Sequence, residues 1–127
     1  MKRLSKQQVL VLHVQLLEAT GGTDGLRDEG LLDAALAAPD AGFEGHELYP
    51  SVEAKAARLA FGLVNNHPFV DGNKRIGVLA MLVMLHGNDV RVRATDDELI
   101  SLGLGLAEGH MTTDEVIAWI ESHTNAA

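Results

Sequence analysis

From Ile76 to Leu85 the chain runs without a polar side chain: Ile-Gly-Val-Leu-Ala-Met-Leu-Val-Met-Leu. A stretch this apolar, about three helical turns long, reads as a buried helix. It falls well short of the roughly 20 residues that cross a bilayer. Directly before it lies a polar segment of nine residues, His67-Pro68-Phe69-Val70-Asp71-Gly72-Asn73-Lys74-Arg75. Before that, Ser51 to Asn65 reads as a helix with Ala56, Leu59, Ala60, Leu63 and Val64 inward. His67-Pro68 should end this helix, because the residue before a proline is pushed out of the α region. Asp71-Gly72-Asn73 is a turn signal, and Asn73 suits the N-cap of the buried helix.

The other segments also read as helices. Ser5-x-x-Gln8 resembles a capping box ahead of Val9, Leu10, Leu12, Leu16 and Leu17, and Gly21-Gly22 closes that helix. Asp28 can cap a second helix carrying Leu31, Leu32, Ala35 and Leu36, which stops before Pro39. Residues 39–50 form the one long irregular stretch, with Phe43 and Tyr49 as expected anchors; it is either a plain surface connection or a functional loop. Val90 to Arg93 alternates but has no partner strand in sight, so it reads as an extended connector. Thr95-x-x-Glu98 and Thr112-x-x-Glu115 open two further helices, and Thr124 to Ala127 is expected to fray. The whole, residues 1–127, predicts a single all-α domain of about six helices. Aromatics are only 4% of the chain against 46% hydrophobic residues, so Leu, Val, Ile and Ala build the core, which suits helices.

Charge and cysteine content narrow the function. The net charge of −8 gives no counterion release on a nucleic-acid backbone, so nucleic acid is not the expected ligand. The chain has no Cys, hence no disulfide framework and no Cys-ligated zinc. The basic N-terminus lacks the continuous apolar stretch and cleavage site of a signal peptide, so no membrane association and a cytoplasmic location are expected.

The nine residues 67–75 gather the plausible chemistry. Backbone N–H groups at a helix start are unpaired and sit at the positive end of the dipole, a natural anion site. Gly72 lets the backbone approach a ligand, and Lys74 and Arg75 add two cations suited to phosphate. Asp71 is badly placed as a phosphate ligand unless a divalent cation bridges them, as Mg²⁺ does in phosphoryl transfer. His67 is the side chain here with an ordinary pKa near neutrality, a natural general base. Phe69 reads as the anchor of the loop. Singly, these features are ordinary: a His before Pro usually packs, Lys-Arg at a helix start is usually solvated, and Asp-Gly-Asn is usually a turn.

Together they resemble the signature of the Fic/Doc superfamily, His-x-Phe-x-Asp/Glu-Gly-Asn-Gly/Lys-Arg. The resemblance is to the Doc (death-on-curing) branch, because Lys74 stands where Fic enzymes carry Gly and Val78 where they carry a further Arg that helps hold the nucleotide. It extends to Gly25-Leu26-Arg27-Asp28, Leu31-Leu32, Pro39, Tyr49-Pro50 and Lys55-Ala56-Ala57. Arg27 and Lys55 are expected in solvated or salt-bridged roles.

The resemblance implies the toxin of a type II toxin–antitoxin pair. Such a toxin would transfer the γ-phosphate of Mg²⁺-ATP to a threonine hydroxyl of elongation factor Tu and arrest translation. His67 would act as base, Asp71 would face Mg²⁺, and Gly72, Asn73, Lys74 and Arg75 would surround the phosphates of ATP. Phe69 would anchor the loop, and residues 39–50 would lie beside the site and help hold the target. No Ser or Thr has Glu four residues later, so the inhibitory helix of many Fic proteins is not expected; a Phd-like antitoxin would inhibit in trans. The alternatives are transfer of AMP, as in Fic enzymes, and a catalytically idle binding module.

Overall fold

Every predicted helix forms, most of them at the predicted cap. The structure, a computed structural model, describes residues 1–124. Six helices follow one another: α1 (Lys6–Thr20), α2 (Glu29–Ala37), α3 (Val52–Asn66), α4 (Asn73–Gly87), α5 (Asp96–Ala107) and α6 (Thr113–Ser122). Ser5, Thr95 and Thr112 each close a full capping box, and Asp28 and Ser51 each accept an N–H from the first turn. Each such cap contributes about 1 kcal/mol by satisfying orphan donors, which is why the boundaries are so local. No helix among the described residues is long and apolar enough to cross a membrane.

The centre of the molecule is α3 as much as the apolar run. It packs against α2, α4, α5 and α6. Its buried positions go round the helix and include Lys55 and Gly62 beside the expected Ala and Leu residues. Small side chains make this possible. A Cβ on Gly77 of α4 would lie 2.5 Å from a Val64 methyl and 3.2 Å from the Ala60 carbonyl, so only glycine allows α3 and α4 to approach this closely. α1 covers the other side of α4, presenting Val9, His13 and Leu17.

Four local expectations are corrected. Gly72, not Asn73, is the N-cap of α4, because the Asn73 side chain turns inward to the loop. α2 stops before Pro39 as expected, but Pro39, expected to open the irregular stretch, sits buried in a short 3₁₀ turn, Ala38–Asp40. Phe43 anchors nothing and is 72% exposed, in a two-residue hairpin that pairs Gly42–Phe43 (β1) with His46–Glu47 (β2). The hairpin is held instead by buried Lys55, whose ammonium donates to Pro39 O and Glu47 Oε1, both at 2.9 Å. Finally, Thr124 is not frayed: it bridges Val92, which gives the connector a partner. The rest of that predicted tail, 125–127, lies outside the described residues.

This C-terminal closure depends on pH. His123 stacks on Trp119 at 4.0 Å, its Nδ1–H donates to Trp119 O and its Nε2–H donates to Glu98 Oε2, both at 2.7 Å. The Trp119 carbonyl, then the Glu98 carboxylate, hold the His123 pKa above its usual 6.5. Glu98 is held below its usual value by the Thr95 backbone N–H and then by His123. A raised histidine stabilises fully below its unfolded pKa and loses that effect as pH rises through the folded value. A depressed carboxylate does the reverse, losing its effect as pH falls through its folded value. The closure is therefore tightest between the two. The Arg93 N–H bonds His123 O at 2.7 Å and reports on it. Its hydrogen-exchange protection should fall as pH is raised from about 6 to about 9, and His123→Ala should abolish that pH dependence.

Candidate functional site

The loop of residues 67–72 links α3 to α4 and is fixed at almost every backbone group. α3 ends on His67 in the left-handed conformation, φ 53° and ψ 52°. Phe69 is 1% exposed, and its ring stacks on that of His13 at 3.7 Å and 13°. The Asn73 carboxamide spans the turn, accepting from the Phe69 N–H at 2.9 Å and donating to the Phe69 carbonyl at 3.0 Å. His13, itself buried, donates its Nε2–H to the Asp71 carbonyl at 2.8 Å. From outside, residues 25–28 lie against the loop like a strand. Leu26 bridges Phe69, the Val70 N–H donates to Gly25 O at 2.9 Å, and the N–H groups of Arg27 and Asp28 both reach Pro68 O, at 2.7 and 2.9 Å.

The start of α4 is left open. Gly72, at φ 80°, offers no side-chain cap, and the N–H groups of Asn73, Lys74 and Arg75 make no hydrogen bond among the described residues. They face a cavity of about 570 Å³ that is also lined by His67, Val70, Asp71, Val64, Asn65 and Ala107. Uncapped N–H groups at the positive end of a 15-residue helix, with Lys74 exposed beside them and in no ion pair among the described residues, make an anion-binding wall. His67 lies on the same cavity, exposed, with its imidazole in no hydrogen bond among the described residues.

Asp71 is the only carboxylate on the cavity among the described residues. Its oxygens accept from the Thr23 N–H at 3.1 Å and the Gly72 N–H at 2.8 Å, and Arg75 lies at 3.6 Å. These two N–H groups first, then Arg75 and His13, hold its carboxyl below the usual range, so it is ionised. Among the described residues no three His, Cys or carboxylate side chains gather for a metal ion. A single ionised carboxylate beside an anion site still fits Mg²⁺, which takes one or two carboxylates and completes its shell with phosphate oxygens and water.

The predicted site residues thus divide. His67, Asp71, Gly72 and Lys74 line the cavity with their functional groups free or partly free, and Phe69 sits buried under the loop. Asn73 offers the cavity its backbone only, its side chain being 4% exposed in the turn. Arg75 is turned aside: its guanidinium donates to Thr20 Oγ1 at 2.6 Å and Gly21 O at 2.9 Å. The negative end of α1, with its orphan carbonyls, attracts that cation. Val78 is 8% exposed and apolar, packed toward Gly103. Residues 39–50 line none of the cavity; Lys55, which anchors them, is 12 residues of α3 before His67, about 18 Å along the axis.

Two residues that position the loop carried little sequence signal. His13 shares a buried stripe with Val9 and Leu17, and a histidine on such a stripe was the available clue. Arg27 stood out only as a flanking match. It makes no salt bridge among the described residues and donates to the carbonyls of His67 and Asn66 instead.

Comparison with known proteins agrees with this geometry. The model of the Fic/DOC family matches residues 3–85, which include the loop and nearly all of the cavity. The chain is 47% identical over 79 residues to the Toxin Doc of Mycolicibacterium smegmatis, a match spanning 62% of this chain and 61% of that protein. It is 28% identical over 116 residues to the Protein kinase doc of Escherichia phage P1, spanning 91% and 90% of the two chains. A helix hairpin with this loop, an open helix start above it and relatives of this kind have one common reading: the chain belongs to the Fic/DOC family, on its Doc branch.

Proposed function

We propose that this protein is the toxin of a toxin–antitoxin pair, a kinase that phosphorylates a threonine hydroxyl of elongation factor Tu and so arrests translation. The observation that carries the kinase reading is the pairing, on one cavity, of an uncapped helix start with Lys74 and an unencumbered His67. Phosphoryl transfer needs little covalent chemistry from a protein; it needs position and preorganised positive charge. Here the phosphates of ATP would lie on the N–H groups of residues 73–75 and on Lys74. Asp71 would hold Mg²⁺, whose contribution would be positive charge toward the phosphates. His67 would accept the proton of the incoming hydroxyl as that oxygen bonds the γ-phosphorus. The bond from γ-phosphorus to the bridging oxygen breaks, and ADP leaves with that oxygen.

The relative named Protein kinase doc supports this reading, as does the apolar Val78 where a nucleotide-holding Arg would serve AMP transfer. A Phd-like antitoxin whose segment folds on binding would act as inhibitor, and the pair would work in the cytoplasm. The test is purified protein with Mg²⁺, elongation factor Tu and ATP labelled on either the α- or the γ-phosphate. Label from γ alone is expected. Label from α would make the protein a nucleotidyl transferase, and no label from either would leave another target or a binding module.

A further inference from the structure

α3 ends in a way that its own sequence cannot stabilise. Left-handed C-terminal residues are usually glycine, and the following N–H groups usually return to the last helical carbonyls. Here the left-handed residue is a histidine, and Pro68 behind it has no N–H to return. The carbonyls of Asn66, His67 and Pro68 therefore need donors from elsewhere. All three find them in residues 27–28. The Arg27 Nε–H donates to His67 O at 2.7 Å and its Nη2–H to Asn66 O at 3.1 Å, while the Arg27 and Asp28 N–H groups take Pro68 O. Arg27 is an exposed arginine with no carboxylate partner among the described residues. Its planar fork is fitted to two adjacent carbonyls, where a point charge would reach one.

We propose that Arg27 is the positioning residue of the catalytic histidine: its guanidinium holds the backbone of residue 67 in the left-handed conformation that puts the imidazole on the cavity. This rests on the reading of His67 as the base. The phosphate-holding half of the loop is held differently, by Asn73 on Phe69 and by His13 on Asp71. Loss of Arg27 should accordingly disturb proton acceptance and leave nucleotide binding alone.

The experiment compares Arg27→Gln and Arg27→Lys with the native protein, and repeats Arg27→Gln in a His67→Ala background. Because the side chain is exposed, the variants keep the fold. The first readout needs no substrate: the backbone φ of residue 67, by NMR coupling or crystallography. It should leave its value of 53° in Arg27→Gln. The second readout is transfer from γ-labelled ATP to elongation factor Tu. In Arg27→Gln, kcat should fall about 10- to 100-fold with KM for ATP unchanged, and Arg27→Lys should recover part of it. In the His67→Ala background the substitution should cost nothing more. An unmoved residue 67 with native kcat, or a further full loss in that background, would overturn the proposal while leaving His67 as base. Full transfer by His67→Ala itself would overturn the base reading, and this proposal with it.

Discussion

His67→Ala should lose about 10²–10⁴ of its phosphoryl-transfer rate while its melting temperature stays close to native. The side chain is exposed and makes no hydrogen bond among the described residues, so its removal takes nothing from the core. What it takes, on the proposed function, is the group that would receive the hydroxyl proton. His67→Gly sharpens the contrast. A non-glycine residue at φ 53° is strained by roughly 1–2 kcal/mol, part of which glycine returns as extra freedom in the unfolded chain. His67→Gly should therefore be as inactive as alanine and yet more stable than the native protein, by up to about 1 kcal/mol. The two measurements are denaturant titration and label transfer on the same samples. A variant that is both stabilised and active would show that the imidazole serves neither chemistry nor position. Strain held at a reactive residue and compensated by its neighbours is common where geometry matters more than stability.

Phe69→Ala should have the largest effect on the fold, about 3–5 kcal/mol. The ring is 1% exposed, stacks on His13 and belongs to the main hydrophobic cluster, so its loss leaves a cavity that rigid helices on both sides cannot fill. For a domain whose total stability is about 5–15 kcal/mol, that is a large fraction. The midpoint of urea unfolding should drop accordingly, and Phe69→Leu should drop less. Activity should fall with it even in the folded fraction, because His13 loses the surface that aligns its bond to the Asp71 carbonyl. If Phe69→Ala unfolded at the native midpoint, the ring would not be the anchor of the loop.

These two residues mark what could be read from the sequence and what could not. Helix starts were legible because a cap is a matter of three or four consecutive residues: Ser5 with Gln8, Thr95 with Glu98, Thr112 with Glu115. The candidate site was legible because its cavity-lining residues are nearly consecutive, from Val64 to Arg75. Its supports were not. His13 meets Asp71 across 58 residues and Arg27 meets His67 across 40, distances over which no local pattern carries information. Asn73 reads from its own type as an N-cap and comes to the phosphates only through the resemblance, whereas Arg75 is placed there because a guanidinium suits phosphate. Their side chains instead satisfy backbone groups, of the turn in one case and of the end of α1 in the other. Phe43 misled for a simpler reason: a lone aromatic in an irregular stretch looks like an anchor, but the buried ammonium of Lys55 already holds that stretch.

Among the described residues, nine of the ten that line the cavity come from the stretch 64–75, and only Ala107 comes from outside it. Such a stretch could be copied into another helical hairpin by a single short exchange of sequence. The copy would carry the imidazole, the carboxylate and the open helix start, but not their posture, which is stored at His13, Thr23 and Gly25 to Asp28. Recombination among members of the family should therefore have kept the first third of the chain with the loop as one inherited block, and left α5 and α6 free to diverge.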